Sequence, residues 1–445
     1  MKSGDATLRF PDGFRWGTAT SAHQVEGDNV ANDWWAWEAQ PGRILNGDRS
    51  GPACGWWTHA EEDFDRAAAL GQNAHRLSIE WSRIEPSPGR WDEPALERYR
   101  SMLAALRLRG IEPMATLLHF TVPLWFAERG GWTREDAPLL FGRFVERVVP
   151  ALSDHCDLWC TLNEPMAWIF SALVAGRWPP GKRSLPAAMR AASGLARAHG
   201  AAYRAIHRAQ PQARVGFANY FRLFDPANPR SPLDRLIAER QDRFTNRSFL
   251  DAVTTGRVRA LPWVANISEA AETADFIGVN YYTRDLVRFD LSVPRQLFGR
   301  NFPGPGSPVS DGAYGVIYPE GMHRVLRLAG QYGRPIYITE NGIPDQDDDQ
   351  RAAFITAHLR EVWRAIKEGI DVRGYYHWSL VDNFEWSYGW SLKFGLIEVD
   401  PQTRARRVRP SAHVYAEICR TNALGPEMDH LHDRSGSADR SQSEA

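Results

Sequence analysis

Short apolar runs recur along the chain, each rich in β-branched or aromatic residues and each broken by Gly, Pro, Asn or a charge. They are "FRWGTATSA", "NAHRLSIEW", "EPMATLLHF", "DLWCTLNEP", "ARVGFANYF", "DFIGVNYY", "PIYITENG" and "VRGYYHWSL". Runs of this length read as strands buried on both faces. Stretches of helical period lie between most of them. In "EPALERYRSMLAALRLRG", Leu96, Tyr99, Leu103 and Leu106 recur at +3, +4 and +3, one apolar face of a helix. Gly110 stops that helix as a left-handed cap, and the next run starts at Ile111. A second long helical pattern, "RAAFITAHLREVWRAIKEG", ends at Gly369. Eight strands alternating with helices predict an α/β fold, a single (β/α)8 barrel. The alternative is a doubly wound open sheet, which commonly carries a Gly-rich phosphate loop after its first strand; this chain has none.

A minimal barrel takes about 250 residues, so much of this 445-residue chain belongs in long βα loops. These are expected over 25–60, 165–185, 222–270 and 284–320, where they would build a deep pocket. The barrel domain is expected to span 1–425. The remainder, 426–445, is polar, small and aperiodic, and is expected to be disordered.

The composition, 43% hydrophobic and 24% charged, is that of a globular chain with a large core. A net charge of −1 gives no broad field for nucleic acid or an anionic membrane. Lysine is confined to Lys2, Lys182, Lys367 and Lys393, and arginine carries the remaining positive charge. The 18 tryptophans fit either a large core or an aromatic-lined cleft that stacks on sugar faces. Cys54, Cys156, Cys160 and Cys419 suggest no disulfide framework and no metal spacing, so buried free thiols are expected. The N-terminus "MKSGDATLRF" lacks a signal-peptide core and no run reaches transmembrane length, which points to a cytoplasmic protein.

Candidate chemistry sits at the strand ends. In a barrel the C-terminal strand ends face one shared cavity. The first strand ends near His23 and Gln24, and the second carries Arg76. His119 ends the third and Asn163-Glu164 the fourth. Asn280 and Tyr282 end the sixth, Glu340 the seventh and Trp378 the eighth. One glutamate at a turn is usually only solvated. Glu164 and Glu340, from strands on opposite sides of the ring, suit glycoside cleavage: one a protonated acid toward the leaving oxygen, the other an ionised nucleophile or base. Arg76 is placed to hold Glu340 ionised, while desolvation and the charge on Glu340 should keep Glu164 protonated.

The motifs "DGFRWGTATSAHQVEG", "RLSIEWSRI", "TLLHF", "TLNEP", "DFIGVNYY", "YITENG" and "WSLVDNFEW", in this order, resemble glycoside hydrolase family 1, the retaining β-glucosidases and their relatives. The resemblance covers residues 8 to 422. It implies Glu164 as acid/base, Asn163 on the sugar 2-hydroxyl and Glu340 as nucleophile. It implies Gln24, Glu385 and Trp386 on the hydroxyls at positions 3, 4 and 6, with His119 also on the ring hydroxyls. Tyr282 would bond to Glu340 and Trp378 would stack under the glycone. It implies small β-glucosides or short β-linked oligosaccharides as substrates, and no cofactor or metal. Three departures stand out: His23 where relatives often have Tyr, Met166 where Trp is common at the aglycone entrance, and "AGRWPPG" in place of an Ala-Pro-Gly ending. Rival readings are a 6-phospho-β-glycosidase, a thioglucosidase and a non-catalytic sugar-binding barrel. The charge on Glu385 argues against the first, since Lys393 alone makes no phosphate site; Glu164 argues against the second, and the intact carboxylate pair against the third.

Overall fold

A computed structural model describes residues 7–428. Eight parallel strands form the centre: β1 (Arg15–Ala19), β2 (Ala74–Ser78), β3 (Glu112–Thr116), β4 (Leu158–Asn163), β5 (Arg214–Pro226), β6 (Phe276–Phe289), β7 (Ile336–Asn341) and β8 (Val372–Trp378). Each pairs with the next in order, and β8 pairs with β1, so the sheet closes. This is the expected (β/α)8 barrel. The outer helices are α1 (Trp56–Ala69), α2 (Glu93–Leu108), α3 (Ala137–Leu152), α4 (Leu185–Ala209), α5 (Ser248–Thr255), α6 (Glu320–Gly330), α7 (Arg351–Lys367) and α8 (Pro410–Thr421).

Local sequence explains these elements. Helix α2 buries Leu96, Tyr99, Leu103 and Leu106, and Asp92 caps it by accepting from the Ala95 N–H at 2.9 Å. Gly110 and Gly369 follow α2 and α7 with φ of +70° and +92°, where a side chain would be strained. Strands β2, β4 and β7 are buried along their whole length, as expected for a parallel sheet covered by helices. All four cysteines are free and buried.

The connections differ from the expected loops. Region 222–270 is largely ordered structure: β5 runs on to Pro226, and a helix Pro232–Asp242 continues through a π-helical turn into α5. Ser231 caps that helix and Pro232 occupies its first turn. Region 284–320 holds the end of β6 and a strand, Gly299–Phe302, folded back antiparallel on it. Regions 25–60 and 165–185 carry short helices, Asp33–Glu38 and Pro165–Ile169. Strand β1 stops at Ala19, so His23 and Gln24 ride on a single helical turn, Ala22–Val25. At the C-terminus, Pro426–Met428 forms a short turn with Met428 buried; 429–445 of the expected tail lie outside the described residues.

Candidate active site

The strand ends open on one cavity lined by His119, Asn163, Glu164, Tyr282, Glu340, Trp378, Glu385 and Trp386. Irregular pairing helps to aim the two carboxylates. The β7–β6 register shifts between Ile338 and Glu340, and the β4–β5 register shifts between Cys160 and Asn163. Such bulges commonly re-aim side chains at active sites. Glu164 adds a left-handed conformation, φ +45°, between the end of β4 and Pro165, with its N–H on the Ala218 carbonyl at 2.8 Å. A non-glycine residue there costs about 1–2 kcal/mol, which the surrounding hydrogen bonds offset.

The two glutamates have unlike surroundings. Glu340 accepts from Arg76 Nη1 at 2.5 Å and from the Tyr282 hydroxyl at 2.6 Å. Arg76, fully buried, also donates through Nη2 to Asn163 Oδ1 at 2.6 Å and through Nε to Thr116 at 3.0 Å. Glu164 accepts one neutral donor, Asn280 Nδ2, at 2.8 Å. Burial, reinforced by the charge of Glu340, pushes the Glu164 carboxyl well above the ordinary glutamate range. Burial also raises Glu340, but there Arg76 and Tyr282 oppose it. The proton shared by this pair therefore resides on Glu164.

Asn280 ties the pair together. Its Nδ2 also reaches Asn163 Oδ1 at 3.1 Å, and its Oδ1 accepts from Thr339, the residue before Glu340, at 2.6 Å. Asn163 Nδ2 donates to His119 Nε2 at 3.1 Å. This assigns the His119 proton to Nδ1, a buried donor with no hydrogen-bond partner among the described residues. Burial and Arg76 hold the ring neutral. Gln24 Nε2 meets Glu385 Oε2 at 3.1 Å and Asn383 Oδ1 at 2.8 Å, so Gln24 and Glu385 form one polar patch. Trp378 and Trp386 flank His119 with near-parallel rings, 5.8 and 6.1 Å between centroids. The candidate catalytic and sugar-binding residues thus assemble around this cavity, with Arg76, Asn280 and Gln24 supporting its wall.

Two expectations need correction. Burial lifts the Glu385 carboxyl to about 8, with Gln24 opposing, so it holds its proton at neutral pH. Charge on Glu385 is therefore not what disfavours a phosphate; instead, no lysine or arginine is among the residues lining the cavity. Met166, expected at the aglycone entrance, is buried and does not line the cavity. Five lining residues escaped the sequence reading: Phe120, Trp178, Tyr220, Tyr314 and Tyr388. Trp178 lies in "AGRWPPG", so that departure was the available signal. His23 is buried against Trp386 and bonded to Asn32 at 3.0 Å, behind the polar patch.

Among the described residues, one carboxylate group has metal-like spacing, Asp345, Asp347 and Asp349; it lies outside the cavity and two of its members are exposed. No helix among the described residues is long and apolar enough to cross a membrane.

The model for glycosyl hydrolase family 1 matches residues 6–424. The chain belongs to this family. β-Glucosidase A of Thermotoga maritima is 31% identical, over 94% of this chain and 99% of its own length. A β-galactosidase of Sulfolobus acidocaldarius is 33% identical, over 95% of this chain and 98% of its own. The solved β-glycosidase of Pyrococcus horikoshii has a TM-score of 0.90 at 41% identity, over 97% of this chain and 99% of that one. The T. maritima β-glucosidase in complex with glucoimidazole has a TM-score of 0.90 at 30% identity, over 94% of this chain and all of that one.

Proposed function

We propose that this protein is a retaining exo-β-glycosidase that hydrolyses terminal non-reducing β-D-glucosyl residues, and β-galactosyl or β-fucosyl residues as well. The observation that carries the reading is the pair of carboxylates in one cavity with opposite electrostatic support. Glu340, held by Arg76 and Tyr282, attacks the anomeric carbon. Glu164, held protonated, gives its proton to the leaving oxygen; the bond to the aglycone breaks and a glycosyl ester forms on Glu340. Glu164, now ionised, takes a proton from water, which displaces Glu340 and restores the starting state. Asn163 and His119 present donors to the ring hydroxyls. Gln24, Glu385 and Trp386 bind the hydroxyls at positions 3, 4 and 6, while Trp378 supports the ring. The Glu385 carboxyl can donate or accept there, which suits equatorial and axial 4-hydroxyls alike. Support comes also from the β-glucosidase and β-galactosidase names of the relatives. Small β-glucosides and short β-linked oligosaccharides are the substrates this cavity suits.

The first test is stereochemical. Proton NMR of early hydrolysis of an aryl β-glucoside should show β-glucose before mutarotation. An initial α-product would mean a single displacement and would overturn the covalent step.

A further inference from the structure

The segment "GRWPPG", residues 176–181, brings an indole, Trp178, into the cavity wall. Its backbone is tied down at several points. The N–H groups of Arg177 and Trp178 donate to the Ser171 carbonyl at 2.8 and 3.3 Å, and the Gly181 N–H donates to the Trp178 carbonyl at 2.7 Å. At Gly181, φ +71°, a Cβ would lie 2.6 Å from the ring of Trp37. Trp37 is itself buried and covered by the Arg43 guanidinium, 3.9 Å from its ring centre. The β4 loop is thus seated on the β1 loop, and the indole is held as a rigid surface.

Ring neighbours show which end of the cavity it closes. The Trp178 centroid lies 4.9 Å from Phe120, 5.6 Å from Trp34 and 6.1 Å from Trp386. Trp386 follows Glu385 in the chain, and Trp34 packs on both Trp386 and His23, the neighbour of Gln24. These contacts put Trp178 at the Gln24–Glu385 end. Tyr282, which bonds to Glu340, is not among its ring neighbours. Trp34 and Trp386 are buried, whereas Trp178 is half-buried, so Trp178 is the ring of this trio that meets solvent; Tyr388, on the Glu385 loop, is the exposed ring beside the same cavity.

We propose that Trp178 is the stop that limits the glycone to one unsubstituted sugar. The inference rests on the reading of the site given above and names the residue that makes the enzyme exo-acting. A 4-hydroxyl fits against the indole; a second pyranose on that oxygen would need the space the ring fills. Removing this half-buried indole widens this end toward solvent. A cellobiosyl unit can then bind with its inner sugar at the carboxylates. Glu340 attacks the inner anomeric carbon, the aryl oxygen leaves, and water releases intact cellobiose.

The test is the first product formed from p-nitrophenyl β-cellobioside, resolved by chromatography. The unmodified protein should release glucose and p-nitrophenyl glucoside first. Trp178→Ala should release cellobiose and p-nitrophenol directly, raising the initial cellobiose-to-glucose ratio by about tenfold or more, with a raised KM for p-nitrophenyl glucoside. Trp178→Phe keeps a ring in the wall and should return glucose as the first product. If Trp178→Ala does not fold, Trp178→Leu is read in its place. Glucose as the sole first product of the folded variant, or equal kcat losses on both substrates without cellobiose, would overturn the proposal. Failure of the underlying site reading would look different: the unmodified protein would release no p-nitrophenol from p-nitrophenyl β-glucoside.

Discussion

Single groups set the protonation of the two glutamates. The Tyr282 hydroxyl stabilises the ionised form of Glu340 at 2.6 Å, and a bond of this kind is worth about 1.5–3 kcal/mol. Without it, Glu340 holds its proton to higher pH. Tyr282→Phe should therefore move the acid limb of the kcat/KM profile upward by about one to two units, while the basic limb, set by Glu164, moves less. An unmoved acid limb would assign it to another group. Glu164 has two duties that different substrates separate. A dinitrophenolate leaves without a proton, whereas a sugar does not. Glu164→Ala should spare the first step on dinitrophenyl glucoside far more than on cellobiose, and should show a burst of dinitrophenol because deglycosylation lacks its base. Added azide should speed turnover and yield the β-glycosyl azide. Equal losses on both substrates with no burst would make Glu164 a binding or structural residue.

At the scale of elements, the loop after β8 carries Asn383, Phe384, Glu385 and Trp386, and a buried ion pair fixes it. Arg409, at the start of α8, donates through Nη1 and Nη2 to the two Asp382 oxygens, both at 2.9 Å, and through Nη1 to the Gly395 carbonyl at 2.7 Å. Both side chains are almost fully buried. Breaking such a pair from one side leaves an uncompensated charge, at a cost of about 3–5 kcal/mol. Arg409→Met should lower the denaturation midpoint accordingly and raise KM as the Glu385 loop loosens. The double variant Arg409→Met/Asp382→Leu should recover much of the stability, because both buried charges are gone. A double variant no more stable than the single one would point to lost packing rather than to the stranded carboxylate.

For the whole molecule, the cavity lies at one end of the barrel and a clamp between residues 8–10 and 422–424 at the other. Leu8 and Arg9 pair antiparallel with Leu424 and Ala423, and the Phe10 N–H donates to the Asn422 carbonyl at 3.0 Å. Asn422 in turn accepts from Trp16 Nε1 at 2.8 Å, and Phe10 packs 4.8 Å from the Trp16 ring. Deleting residues 1–10 removes a buried Phe, worth about 3–5 kcal/mol, from the end that does no chemistry. The expected outcome is a clearly lower Tm with kcat/KM at 25 °C kept within about twofold. A large loss of activity in the folded, truncated chain would mean that the two ends are coupled.

Local pattern by itself was enough to determine the eight strands, the helix faces and caps, and the placing of Glu164 and Glu340 at strand ends, because alternation, capping and βα order are short-range properties. The helix Pro232–Asp242 was signalled only at its start, by the Ser231 cap and Pro232; its many charged residues left no clear apolar face, so the segment read as a loop. Other features belong to the tertiary structure alone. Tyr220, Tyr314 and Tyr388 reach the cavity from segments far apart in the chain, and no local periodicity marks a residue that packs against a distant loop; for Trp178 only the departure of its segment from the family pattern stood out. Met166 lies two residues after Glu164 yet turns into the core, since the left-handed conformation of Glu164 and the intervening Pro165 redirect the chain. The state of Glu385 was decided the same way: sequence supplies a carboxylate, and only burial, with the charge of Glu340 nearby and against the Gln24 hydrogen bond, keeps its proton near neutrality.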